Sequence, residues 1–209
     1  ITILVRSLDI SLPIRMRFYI FAVLNFTVPI RNVKYQSEID KWYENYIDEL
    51  FAYGIAFGVE KDFVLDAIHD LFLHLFESAD KIEILGSPKS YLFSALKNKI
   101  ITSLRKQANW LSLEEEVEYN FKIEVDAEAL MEDEEERRNY EKEVESLLNL
   151  LTNKQREVIY LRFIKALSIQ EISEILNITP KSVRKMIYRA IERMQQGKIE
   201  LLFLLMFLR

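Results

Sequence analysis

Only four glycines and four prolines interrupt 209 residues. A β-sandwich or barrel of that length turns every ~8–12 residues, and its turns draw on glycine and proline. Here long amphipathic stretches run between the few breaks, which predicts an all-α protein of one or two small domains. The same scarcity leaves no room for a glycine-rich phosphate cradle, and neither GxGxxG nor GxxxxGK[ST] occurs. With no cysteine there is no disulfide, no thiolate metal site and no cysteine nucleophile. Two histidines, His69 and His74, fall short of a three-histidine zinc centre. Carboxylates are plentiful, but none pairs with a nucleophile or metal set. The expectation is a protein that is not an enzyme and uses no cofactor and no small-molecule substrate.

Apolar periodicity locates the helices. Trp42, Tyr46, Leu50 and Tyr53 recur at helical spacing within a helix expected over Gln36–Phe57, which Gly54 and Gly58 punctuate. Val64, Ile68, Leu71, Phe72 and Leu75 line a second helix, Asp62–Glu77. After a loop at 78–88, Ser87-Pro88 opens a third helix to about Gln107, apolar at Leu92, Phe93, Leu96, Ile100, Ile101 and Leu104. Further helices are expected over Glu141–Leu151, over Lys154–Lys165 with Thr152 as cap, from Ser168 to Leu176, and from Lys181 to about Gln196.

The ends read differently. The chain opens on Ile1, so residues 1–34 are expected to be an extension, non-native or poorly ordered. Residues 14–30 resemble a weak signal peptide but lack a small-residue cleavage site, and their apolar run is shorter than the ~20 residues that span a bilayer. The apolar tail Ile199–Leu208 is also too short to cross and is expected to pack on the protein or a partner.

Net charge is −5, which argues against nucleic acid until it is divided along the chain. Residues 1–110 are neutral, 111–145 carry net −11 and 146–209 carry net +6. The acidic stretch 111–138 reads as a solvated, partly helical linker. It separates a domain at 35–110 from one at 139–198, with 199–209 as tail.

Function concentrates in the second domain. Ser168 and Glu171 have capping-box spacing, in which each side chain satisfies the other's free backbone donor. Asn177-Ile178-Thr179-Pro180 makes a tight connection, with Thr179 as N-cap and Pro180 in the first turn of the last helix. Ile172, Ile175, Ile178, Val183 and Ile187 are spaced to bury the angle between the two helices. Two such helices make a helix-turn-helix, whose second helix reads DNA in the major groove. That helix offers Lys181, Ser182, Arg184, Lys185, Tyr188 and Arg189. Arginine and lysine suit guanine acceptors, and serine can bond several bases. Between Ser87 and Trp110 the third helix carries five basic residues and no acid, with Tyr91, Phe93 and Trp110 among them. Cations that track phosphates beside rings that stack on bases suit a single strand.

These residues carry a resemblance. The chain resembles bacterial RNA polymerase sigma factors of the compact extracytoplasmic-function type, over about 35–198. Asp66-Ala67-Ile68-His69-Asp70-Leu71-Phe72 is similar to a stretch of region 2 that usually reads Asp-x-x-Gln-Glu/Asp-x-Phe. In the family this helix docks on the clamp helices of the polymerase, which implies that role for Asp66, His69, Asp70 and Phe72, with His69 where glutamine is usual. Ser90 to Phe93, Lys97-Asn98 and Leu104-Arg105-Lys106 resemble the helix that melts and holds the −10 element. The resemblance implies single-strand contacts for Tyr91, Lys97, Asn98, Arg105 and Lys106, and promoter specificity in the loop at 78–88. Leu151 to Val158, Leu161-Arg162-Phe163 and Ser168 to Ala190 resemble region 4, with Ala166 and Ser173 where glycine and alanine are usual. Its −35-reading residues would be Thr179, Lys181, Ser182, Arg184, Lys185, Tyr188 and Arg189.

The resemblance implies a cytoplasmic transcription initiation factor that binds core RNA polymerase and promoter DNA, with an anti-sigma factor as a further candidate partner. It also implies that 111–138 runs through polymerase channels. The competing expectation is a stand-alone helix-turn-helix regulator that binds its operator without polymerase.

Overall fold

The computed structural model describes residues 33–78, 87–107, 119–124 and 133–194. Among these residues there are seven α-helices and no strand. The signal-like stretch 14–30, most of the loop at 78–88, Trp110, most of the acidic linker and the apolar tail lie outside the described residues.

Helix α1 (Val33–Ile55), α2 (Lys61–Glu77) and α3 (Pro88–Gln107) pack on one another. Their apolar stripes meet at Ile47, Leu50, Tyr53, Val64, Ile68, Phe72, Leu92, Phe93, Leu96 and Ile100, all buried. Two glycines set the α1–α2 corner. A methyl group at Gly54 would collide with the Val64 side chain, so the bare backbone sets how closely the helices approach. Gly58 turns the chain at φ +72°, a conformation glycine adopts without steric penalty.

Helix α4 (Glu134–Asn149) begins seven residues before the expected Glu141. Its cap explains the difference. The Asp133 side chain accepts from the Glu135 and Glu136 amides, and Glu134, Glu135 and Glu136 place negative charge at the positive end of the helix dipole. Part of the acidic cluster assigned to the linker is therefore the first turn of a helix.

Helix α5 (Asn153–Ile159) carries a full capping box between Thr152 and Gln155. The expected run to Lys165 does not continue as α-helix. Tyr160–Ile164 widens into a π-helical turn, closed by the Lys165 amide on the Tyr160 carbonyl at 3.0 Å. Ala166 follows in the left-handed region at φ 52°, which accounts for glycine being usual there. Helices α6 (Ile169–Leu176) and α7 (Pro180–Met194) complete the chain as described.

The two helical groups share an interior. The core of α1–α3 continues without a break into Val158, Tyr160, Leu161, Leu167, Ile172, Ile175 and Val183. Helix α6 lies directly on α3. A smaller core of Tyr140, Val144, Leu147, Leu148, Leu151, Ile159, Ala190 and Met194 fastens α4 to α5 and α7.

Candidate functional site

The helix-turn-helix is built by local chemistry. Ser168 Oγ accepts from the Glu171 amide at 3.1 Å, and the Glu171 carboxylate accepts from the Ser168 amide at 2.9 Å. Partial burial pushes the Glu171 carboxyl up, but hydrogen bonds from the Ser168 backbone and side chain and from Ser87, together with nearby Lys89, hold it below its ordinary value. Asn177 ends α6 in the left-handed conformation at φ 51°, a common helix stop. Ile178 then donates to the Ser173 carbonyl at 3.0 Å, which fixes the sharp turn into α7.

Thr179 caps the last helix as its sequence position predicts. Thr179 Oγ1 accepts from the Ser182 amide at 3.2 Å and hydrogen-bonds the Ser182 hydroxyl at 2.9 Å. The Thr179 hydroxyl caps the start of α7, and the Ser182 hydroxyl is tied to it. The groups projecting beyond them are Lys181, Arg184, Lys185, Tyr188 and Arg189, all exposed, Tyr188 by 67%. Val183 and Ala190 anchor the opposite side of α7 in the core. Arg193, also basic in sequence, is drawn off to Gln155 Oε1 at 2.8 Å.

Helix α3 presents a second basic face, but much of it is already engaged. Lys89 pairs with Glu49 at 2.7 Å and Lys99 with Asp70 at 2.5 Å. Lys97 places its ammonium on both oxygens of Glu157, at 2.8 and 2.9 Å. Asn98 and Lys106 are exposed, and Tyr91 and Arg105 are half-buried. Phe93 is wholly core.

Of the α2 residues expected to dock a partner, Asp66 and Asp70 are exposed and His69 is half-buried. Phe72 corrects the expectation: it is fully buried, edge-on to Tyr43 with ring centroids 5.0 Å apart. Its place is beneath the acidic face, which it supports through packing.

The sequence reading missed Glu157. It is fully buried, and its carboxylate accepts from Tyr53 Oη at 2.6 Å and Tyr119 Oη at 2.7 Å as well as from Lys97. Burial, then the charge and hydrogen bond of Glu157, push the Tyr53 phenol well above its ordinary value, so it remains a donor. The signal was an acid one turn before Tyr160 and Leu161, on a stripe that is otherwise apolar.

The family model described as Sigma-70 region 2 matches residues 42–109, and that described as Sigma-70, region 4, matches 141–194. Together they cover more than half of the chain. Among curated proteins, none matches. In fold, the chain is similar to the sigma factor RpoE from Bartonella quintana, solved as a co-crystal with the anti-sigma factor NepR. The TM-score is 0.54 at 21% identity, over 79% of this chain and 96% of that one.

Proposed function

The chain belongs to the sigma-70 family, and we propose how its two helical groups divide the work of a transcription initiation factor. As a family member it binds core RNA polymerase and directs it to promoters. In the proposed division, α7 enters the major groove at the −35 element. Lys181, Arg184, Lys185, Tyr188 and Arg189 face the DNA, while Thr179 and Ser182 hold the start of the helix. Helix α3 captures the melted −10 strand through Asn98, Lys106 and Arg105, with Tyr91 and Lys97 joining once they are uncovered. Asp66, His69 and Asp70 dock on polymerase. No residue of the chain performs chemistry, and the work belongs in the cytoplasm, beside DNA. The Bartonella quintana relative is held by an anti-sigma factor, and the proposal extends that class of partner to this chain.

The observation that carries the reading is the exposed cationic face of α7 behind a fully capped helix-turn-helix. Two weak DNA contacts on one chain act together through effective concentration. A stand-alone regulator needs no region 2, so the match over 42–109 tells against that alternative.

Transcription in vitro with core polymerase, on promoters selected from a random library, tests the proposal. Asp66→Ala should weaken holoenzyme formation, and Arg184→Ala should reduce dependence on the upstream element. Promoter-specific transcription that survives both changes unaltered would remove these residue assignments.

A further inference from the structure

Lysine and arginine side chains on α7 suit phosphates and guanine acceptors. The exposed ring of that helix suits neither. Tyr188 is 67% exposed, and Leu150 is the only other large apolar side chain so exposed among the described residues. Among those residues no ring or cation lies against Tyr188, and no hydrogen bond holds its hydroxyl. The core lies across the helix, where Val183, Ala190 and Met194 are buried. Packing therefore gives no reason for a ring at this position.

Its place along the helix is specific. Lys181, Arg184, Lys185 and Tyr188 follow at spacings of three and four, so they share one exposed stripe. At ~1.5 Å per residue that stripe is about 10 Å long. Base steps of ~3.4 Å make it about three steps. Tyr188 stands at the far end, beyond the cations. One turn later comes Glu192, an exposed acid that phosphates repel. The groups that a duplex accepts thus end at the ring.

We propose that Tyr188 reads one thymine of the −35 element through its C5-methyl group. The inference rests on the reading of α7 as the helix that enters that element. In the major groove, guanine, cytosine and adenine present hydrogen-bonding atoms, and thymine alone adds a methyl group. A tyrosine ring set on that methyl removes apolar surface from water on both partners and strands no polar atom. Set on the cytosine amino group or the guanine acceptors, the same ring covers a polar atom without bonding it, which costs free energy. The ring therefore favours thymine and penalises the other bases at one position. Arg184 and Lys185 have no such preference, because their N–H groups seek acceptors. The stripe divides accordingly, with cations for acceptors and phosphates and the ring for a methyl.

Deoxyuridine is thymidine without the methyl group, so it tests the contact atom for atom. Holoenzyme assembled from the full chain and core polymerase is titrated in competition against duplex promoters chosen from the random library. Each thymine of the −35 element, on either strand, is replaced in turn by deoxyuridine. One replacement should lower the affinity of the parent by about fourfold, the worth of one buried methyl group. Exchange of that T·A pair for C·G should cost about tenfold or more. Tyr188→Ala should bind the thymine and deoxyuridine promoters equally. Tyr188→Phe keeps the ring and should still distinguish them by about fourfold. Both changes fall at an exposed position and leave the fold intact. A selected −35 element without thymine, a parent indifferent to every methyl, or discrimination that survives in Tyr188→Ala would overturn the assignment. So would a Tyr188→Phe variant as weak as Tyr188→Ala on every promoter with a flatter salt slope, because the hydroxyl would then serve a phosphate. Arg184→Ala, measured in parallel, separates this from failure of the underlying reading. If Arg184→Ala reduces dependence on the −35 element but Tyr188→Ala leaves the methyl preference unchanged, only the thymine assignment is lost. If neither change alters that dependence, the role of α7 falls and the assignment falls with it.

Discussion

Helices α3 and α7 are both rich in cations, yet they hold them differently. On α7, Lys181, Arg184, Lys185 and Arg189 are exposed, and none meets a carboxylate among the described residues. On α3, Lys89, Lys97 and Lys99 each meet one: Glu49, Glu157 and Asp70. Sequence charge is alike in the two helices, but available charge is not. A cation already paired at short range gives little to an incoming phosphate until its partner is displaced. In the proposed division of work, α7 meets DNA with its cations unpaired, whereas Lys89, Lys97 and Lys99 of α3 would first exchange partners.

The sharpest way to break this comparison is at Glu157. Removing one member of a buried ion pair leaves the other without compensation, at a cost of about 3–5 kcal/mol. Glu157→Ala would also orphan the Tyr53 and Tyr119 hydroxyls, which donate to the same carboxylate. Urea unfolding should show a loss of that order. An α7 cation gives the opposite result. Lys185→Ala should leave the unfolding free energy within about 0.5 kcal/mol of the parent, since it touches no buried feature. Equal losses at the two sites would mean that the α3 cations are no more engaged than those of α7.

The next largest effect falls on DNA. Arg184→Ala and Lys185→Ala should each weaken −35 binding by about 1–3 kcal/mol where the side chain reads a base, with relaxed specificity at one position. Where it contacts a phosphate, binding should weaken for every sequence and the salt slope should flatten by about one unit. Titration at several salt concentrations distinguishes the two. No change from either variant would place the reading face elsewhere on α7.

How much of this was legible in the sequence follows from the range of each interaction. The capping box at Ser168 and Glu171, the stop near Asn177 and the start at Pro180 are local, three or four residues across, and the structure reproduces them. The apolar stripes of α1 to α3 were equally clear, because helical spacing alone places Leu50, Phe72 and Leu96 inside. The Asp133 cap was masked by its surroundings: acids in a run read as solvated linker until one of them is seen to start a helix. The π-helical turn left no mark, since Tyr160 is positioned by rings at Tyr53 and Phe121 far earlier in the chain. The partners of Glu157 lie 104, 60 and 38 residues away. Spacing could flag the misplaced acid but not supply its donors, and so the engagement of Lys97 was invisible. Phe72 is the converse case: the motif implied a docking role, while its helical spacing already placed it inside, where the structure holds it.

Ala166 offers a smaller test, confined to the second helical group. A residue with a Cβ at φ 52° carries a left-handed penalty of ~1–2 kcal/mol, partly offset because glycine costs more entropy on folding. Ala166→Gly should therefore stabilise the protein by about 0.5–1 kcal/mol and raise Tm. DNA binding should be unchanged, because Ala166 stands in the turn before α6, away from the exposed side chains of α7. A lower Tm would mean that the turn is held without strain.

The smallest expected effect concerns the acid side of the same comparison. Glu171 is an acid whose work is local, capping α6 and accepting from Ser87 at the start of α3. Its carboxyl titrates below the ordinary value of 4.5 in the folded chain. A depressed carboxyl binds its proton more weakly when folded than when unfolded, so it contributes stability above about pH 4.5 and loses it as pH falls through the lower folded value. Glu171→Gln cannot titrate, and its unfolding midpoint should vary less between pH 5 and pH 3 than the parent's. The effect is modest because the side chain is largely solvated, and screening by water reduces what any exposed charge contributes. A parent and variant with identical acid profiles would show that the Ser168 and Ser87 bonds do not favour the ionised form, and that the cap works equally well with a neutral acceptor.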